Sequence, residues 1–260
     1  MTVRNFARVF EKSALLLLLC CGAALAAGEG GLSYRMASYR IARAPGADVP
    51  TEPVAWEYPV VAPEQLAAHR RLNAWLRSWA LESLEPCAPA EVERLKAMPD
   101  RRVLEALSAD RDFAVCELEH AVIEPREAFG PYVVFMRNTG AMGSARVHHG
   151  VEVRVFDLAA GTAVDMQTLF KPDALTVLNG ALAELISADE KRPDCHGRPF
   201  DWTQVTLRPP AEVFIEFAYN PAQWRDCGDG VEMLGGRVVA EQLAHPDRLR
   251  PVRRWVKQQP

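Results

Sequence analysis

The chain has 260 residues, 30 of them Lys or Arg and 34 Asp or Glu, so it carries a formal charge of −4 and no general attraction for nucleic acid. With 49% hydrophobic residues it can bury the core of one larger domain or two small ones. It contains no dinucleotide fingerprint and no phosphate loop, which removes the commonest nucleotide enzymes.

Arg4, Arg8 and Lys12 precede residues 14–27, the only long apolar run of the sequence. That is the layout of a secretory signal, and Ala24-x-Ala26 sets cleavage after Ala26, placing the mature chain in the periplasm or outside the cell. The run is too short to favour a spanning helix, so no stable membrane span is expected in the mature chain. A lipoprotein signal wants a small residue before its cysteine. Here Leu19 precedes Cys20 and Cys20 precedes Cys21, which argues against a lipid anchor. Losing Arg4, Arg8, Lys12 and Glu11 with the signal deepens the negative charge by two.

Cys87, Cys116, Cys195 and Cys227 remain, and four cysteines in an oxidising compartment allow three pairings. Chain order favours Cys87–Cys116 and Cys195–Cys227, each closing a loop of about 30 residues worth about 2–4 kcal/mol. A zinc site would bring its cysteines in close pairs, and these four are isolated.

Beyond the signal, Leu32–Arg43 alternates as one strand or two short ones, and Pro45–Gly46 begins a polar turn. Residues 55–61 read as an edge or terminal strand, because Pro59 has no N–H for a ladder. From Pro63 the apolar period becomes helical: Leu66, Leu72, Trp75, Leu76, Trp79 and Leu84 form a stripe that stops before Pro86. Trp75 and Trp79 read as core, with a ligand platform as the rarer alternative. A second helical stretch spans Ala90–Ala109, broken at Pro99 and Asp100.

Strands are expected at Phe113–Ile123, Tyr132–Arg137 and Arg146–Phe156. In the last, Val147, Val151, Val153 and Val155 point to the core, while Arg146, His148, Glu152 and Arg154 point to water. Pro172 begins a helix with Leu175, Leu178, Leu182, Leu185 and Ile186 on one stripe, and Ser187–Arg198 is a polar loop. Trp202–Leu207 and Val213–Tyr219 form a hairpin around Pro209–Pro210, followed by strands Val231–Met233 and Arg237–Val239 and a last helix or turn at Ala240–Ala244. Helices interrupt antiparallel strands instead of alternating with them, so the expected class is α+β, an antiparallel sheet packed against helices.

Chemistry is sparse. His148, His149 and Glu152 are out of order for a zinc protease, and on a strand His148 and Glu152 stand about 13 Å apart. Gly143–Ser144 lacks a nucleophile elbow. Glu117 with Glu119, about 6.6 Å apart on one strand face, and Glu212 with Glu216 are the carboxylate pairs available for glycan cleavage. The residues by themselves point to no catalytic group, cofactor or metal.

The order Trp56-Glu57-Tyr58-Pro59-Val60-Val61, an amphipathic helix, Thr139-Gly140-Ala141-Met142-Gly143, Phe156-Asp157-Leu158-Ala159-Ala160-Gly161 and Leu169-Phe170 resembles the RsiV-like proteins. These contain the domain of unknown function 3298, often preceded by a smaller associated domain. Two departures stand out: the family's Gly-Gly-Ala-His reads Thr139-Gly140-Ala141-Met142, and the family's Asp before Leu-Phe reads Thr168. Asp157 and Gly161 bracket a reversal at which a carboxylate can accept backbone N–H groups and a glycine can take positive φ.

The resemblance implies the RsiV-like extracytoplasmic fold, with a signal at 1–26, an N-terminal strand and helical part at 27–130 and an RsiV-like domain at 131–260. It also implies a cell-envelope binding protein without catalysis of its own, its partner lysozyme or another envelope protein or glycan. The runner-up expectation is a hydrolase of envelope polysaccharide using a carboxylate pair.

Overall fold

The computed structural model describes residues 26–27, 32–43, 52–88, 91–142, 147–177, 180, 205–208, 214–219 and 234–239. Seven strands form one sheet in chain order: β1 Ala26–Ala27, β2 Ser33–Ile41, β3 Val54–Ala62, β4 Leu118–Phe129, β5 Tyr132–Met142, β6 Val147–Asp157 and β7 Thr162–Ala163. All neighbours are antiparallel except β3 and β4, which run parallel and are joined by a crossover through helices, so the sheet is mixed. These are α1 Ala67–Glu82, α2 Val92–Lys96 and α3 Asp100–Ala109, followed by the single turn α4 Arg111–Ala114. The turn α5 Met166–Leu169 follows β7, and β8 Val205–Arg208, β9 Phe214–Tyr219 and β10 Leu234–Val239 form a separate antiparallel sheet.

α1 supplies the apolar stripe expected of it: Leu72, Leu76 and Trp79 are fully buried against Trp56, Ile123, Phe135 and Phe156. Burying each such aliphatic or phenyl side chain contributes about 1.5–3 kcal/mol. Leu66 does not join them. It has an extended backbone just before the helix, its N–H bonds back to Pro63, and its side chain is 51% exposed. Pro99 ends the α2 segment and stands as N-cap of α3. Asp110 then caps α4 by accepting from the N–H groups of Asp112 and Phe113, so Phe113 lies in a helical turn instead of a strand and β4 begins only at Leu118.

β3 is an interior strand, between β2 and β4, and the edge reading of Pro59 is corrected by the register. The parallel ladder covers only Ala55–Glu57 against His120–Val122, so Pro59 lies past the stretch that needs a donor toward β4. Gly130 and Pro131 form the tight connection of the β4–β5 hairpin, and Gly130 has φ 55°.

β6 also corrects an expectation. Val153 and Val155 are buried as predicted, but Glu152, Arg154 and Phe156 on the other face lie under α1 and not in open water. Both faces of the central strands are therefore covered. Helix begins after Pro172 and is described through Val177 and at Gly180; Leu178, Leu182, Leu185, Ile186, the 187–198 run and the 240–244 segment lie outside the described residues. The β8–β9 hairpin lies where it was read, and β10 Leu234–Val239 contains the expected Arg237–Val239 strand, while Val231–Met233 lies outside the described residues.

Candidate functional site

The densest polar chemistry sits between α1 and the sheet. Trp75 and Trp79, one helical turn apart, stack with centroids 5.3 Å apart, and Trp75 leans on Phe135 and Phe156 at 5.9 and 5.2 Å. The pair is core, with no open face at Trp79. Arg137 and Arg154 lie over the Trp79 ring at 5.3 and 4.8 Å, where the ring's negative face attracts cations. Trp79 Nε1 donates to Glu152 Oε2 at 3.3 Å, and Arg137 donates to Glu152 Oε1 at 2.6 Å and to the Trp79 carbonyl at 2.9 Å. Arg154 bridges Glu152 at 3.4 Å and Glu82 at 3.2 Å. Burial lowers the Arg137 pKa, and the Glu152 charge opposes that shift.

A second node gathers around Asp100, the first residue of α3. Tyr39 Oη on β2 donates to Asp100 Oδ2 at 2.6 Å, Tyr58 Oη on β3 donates to the same oxygen, and Arg77 of α1 donates to Oδ1 at 2.7 Å. Arg77 also donates to the carbonyls of Lys96 and Met98, which fixes the α2–α3 corner to α1. Burial first, and then the Asp100 hydrogen bond, push the Tyr39 pKa to about 12; the Tyr58 pKa is raised for the same reasons. An ionised carboxylate offers only acceptors, and those of Asp100 and Glu152 are taken by cations, phenols or indole. These groups hold elements together.

Cys87, just past α1, is bonded to Cys116 at the entrance to β4, with Cα atoms 5.3 Å apart. Arg43, at the end of β2, grips the same entrance: it donates to the carbonyls of Ala114, Cys116 and Leu118, and to that of Glu52. Burial lowers the Arg43 pKa. Cys195 and Cys227 lie outside the described residues.

At the end of β6, Asp157 Oδ1 accepts from the N–H groups of Ala159 and Ala160 at 2.8 and 3.0 Å, and Gly161 N–H donates to the Asp157 carbonyl at 2.7 Å. Gly161 has φ 73°, and a Cβ there would stand 2.0 Å from Arg71 Nε. The glycine thus serves the turn and also lets α1 approach it. Asp165 caps α5 by accepting from Gln167 N–H at 3.0 Å, while Thr168 Oγ1 donates to the Asp165 carbonyl. Met166, Leu169 and Phe170 are buried.

Of the two carboxylate pairs, only Glu117 with Glu119 lies wholly within the described residues. Glu117 precedes β4, and Glu119 sits at the register shift between Leu118 and His120, so the two do not share a regular strand face. Glu212 lies outside the described residues, and Glu216 pairs by register with Thr206 and Arg237. His148 and His149 stand opposite Ala141 and Gly140 in the ladder; their side chains lie outside the described part of the structure, as do Gly143 and Ser144. Among the described residues, no group of three or more His, Cys, Asp or Glu is disposed to hold a metal ion, and no helix is long and apolar enough to cross a membrane.

Sequence reading missed Arg43, Asn73, Arg77, Asp100 and Arg137. The only local signal was Asp100 at the start of a helix after a proline; Asn73 bonds the Val61 backbone 12 positions away, and most partners of the other four are more distant still. A shallow groove of about 170 Å³ opens beside this layer, between Leu32 and Tyr34 on one side and Pro125–Ala128 with Val133 on the other.

No protein-family model matches the sequence, and no curated protein matches it. Solved structures resemble it, and the first of them shares its fold. A member of the DUF3298 family from Bacteroides fragilis is 13% identical, with a TM-score of 0.55 over 88% of this chain and 99% of that one. A DUF3298 family protein from Pseudomonas aeruginosa PAO1 is likewise 13% identical, with a TM-score of 0.49 over 85% of this chain and 97% of that one. The likeness is one of fold: an α+β arrangement with a mixed sheet packed against helices, as in the Bacteroides protein.

Proposed function

We propose that this protein is an extracytoplasmic binding protein of the cell envelope, without catalysis of its own, and that its partner is a cationic protein of the lysozyme kind. The observation that carries the reading is the fold shared with the Bacteroides DUF3298-family structure across almost the whole of that chain. The Cys87–Cys116 bond supports an oxidising compartment, as the apolar run at 14–27 does. The negative formal charge suits electrostatic steering of a basic partner. Asp100 and Glu152 supply structure in the layer beneath α1, consistent with a protein that recognises and does not cleave.

The test uses purified protein lacking residues 1–26, titrated with lysozyme by calorimetry and assayed for inhibition of lysozyme turnover. Saturable binding with a salt-dependent association rate is expected. No binding below about 100 μM with unchanged lysozyme activity rejects lysozyme as the partner. Release of soluble fragments from peptidoglycan by the protein alone would replace the binding reading with the hydrolase.

A further inference from the structure

The sheet parts in its middle. β3 runs on to Ala62 and β4 to Phe129, yet they pair only over Ala55–Glu57 and His120–Val122. Beyond Glu57 the facing edge of β3 would present bare backbone groups, the template on which extended chains add. Two residues remove that template. The β2–β3 register runs from Ser33–Ala62 to Ile41–Val54 without a shift, so Glu57, Pro59 and Val61 direct their backbone groups to one side. Pro59 has no N–H to offer. At Val61 the N–H donates to Asn73 Oδ1 at 2.8 Å, and Asn73 Nδ2 donates to the Val61 carbonyl at 3.0 Å. These are the two bonds that a neighbouring strand would make, and a single carboxamide from α1 makes both.

We propose that Asn73 is an edge guard: its side chain stands in for a strand at Val61 and keeps the slot between β3 and β4 closed to backbone pairing by another extended chain. Its neighbours on α1 explain why it can hold that position. Leu72 and Leu76 are fully buried, so the amide is fixed by helix packing and not carried on a loop. The groove lined by Leu32, Tyr34, Pro125, Ala128 and Val133, with Arg126 and Glu127 among them, opens from the start of β2 to the end of β4, which leaves a partly apolar surface beside the edge that Asn73 closes. Apolar side-chain pockets next to an open edge are what strand addition requires.

Hydrogen exchange at the Val61 amide, combined with sedimentation velocity over a range of concentrations, tests the guard in the full folded protein. Asn73→Ala should speed Val61 exchange about tenfold, the loss expected for one such hydrogen bond, and should produce larger species as concentration rises. Pro59→Ala returns an N–H to the same edge with the guard in place and should sediment as the unaltered protein does. Combined with Asn73→Ala, it should associate more strongly than Asn73→Ala alone. If the alanine variant does not fold, Asn73→Leu keeps the side-chain volume while removing both hydrogen bonds and should show the same two effects. Unchanged Val61 exchange in the folded variant overturns the proposal, and so does faster exchange without added association.

Discussion

Asp100 and Glu152 both tie α1 to the sheet through guanidinium groups, but they do so in regions where the backbone contributes differently. Around Glu152, β5 and β6 pair in register from Tyr132–Asp157 to Met142–Val147, so the polar cluster adds to a ladder already made. Around Asp100, β3 has parted from β4, and the α2–α3 corner reaches β2, β3 and α1 through one carboxylate. The same chemistry is supplementary in the first place and structural in the second. Side-chain acceptors matter most where the ladder stops.

The largest effect should therefore come from Asp100→Ala, which leaves two phenols and a guanidinium without their shared acceptor. We expect a loss of about 3–4 kcal/mol in urea denaturation, the range for an uncompensated, largely buried ion pair. Removing the Cys87–Cys116 bond by a double serine substitution should cost about 3 kcal/mol, given the 29-residue separation it closes. Non-reducing peptide mapping should recover that bond, and also Cys195 with Cys227 if the second proposed bridge forms. Glu152→Ala should cost less, about 2 kcal/mol, because Arg137 keeps the Trp79 carbonyl and Arg154 keeps Glu82. If Glu152→Ala proves more damaging than Asp100→Ala, the contrast between the two regions fails.

What could be read from the sequence follows the range of each interaction. α1, the break at Pro99 and the hairpin strands were legible because local spacing and turn residues dictate them. Phe113 was misread because the Asp110 cap, worth about 1 kcal/mol, outweighed the apolar alternation around it. Glu152 and Arg154 were assigned to water because alternation says which residues share a face, and not what lies on that face. Asp100 and Tyr39 are 61 positions apart, and no periodicity joins them. The turn at Asp157 and Gly161 was visible as a turn; Arg71 packed against the glycine was not.

Gly161→Ala tests that contact with a smaller effect. Left-handed φ costs a residue with a Cβ about 1–2 kcal/mol, and the new methyl must also displace Arg71 from 2.0 Å. Combining it with Arg71→Ala should recover the steric share and leave the backbone share, so the double variant should be the more stable of the two. Equal stability of single and double variants would show that α1 does not rest on this turn.

The smallest effect is the response of the Asp100 node to alkali. Tyr39 holds its proton to about pH 12 because it is partly buried and bonded to Asp100, whereas a tyrosine in the unfolded chain ionises near pH 10. The unfolded state therefore loses its proton first. The contribution is complete below pH 10 and is lost as pH rises toward 12, with Tyr58 adding a loss of the same sign. Tyr39→Phe removes one of these ionisations together with its hydrogen bond. It should be less stable by about 1 kcal/mol at pH 8, yet its urea midpoint should fall less steeply between pH 10 and 12. The solvent reaching Tyr39 weakens the effect, so the difference in slope carries the test. Parallel slopes would mean that Tyr39 ionises as freely in the folded protein as in the unfolded chain, and that Asp100 holds α3 through Arg77 and Tyr58 alone.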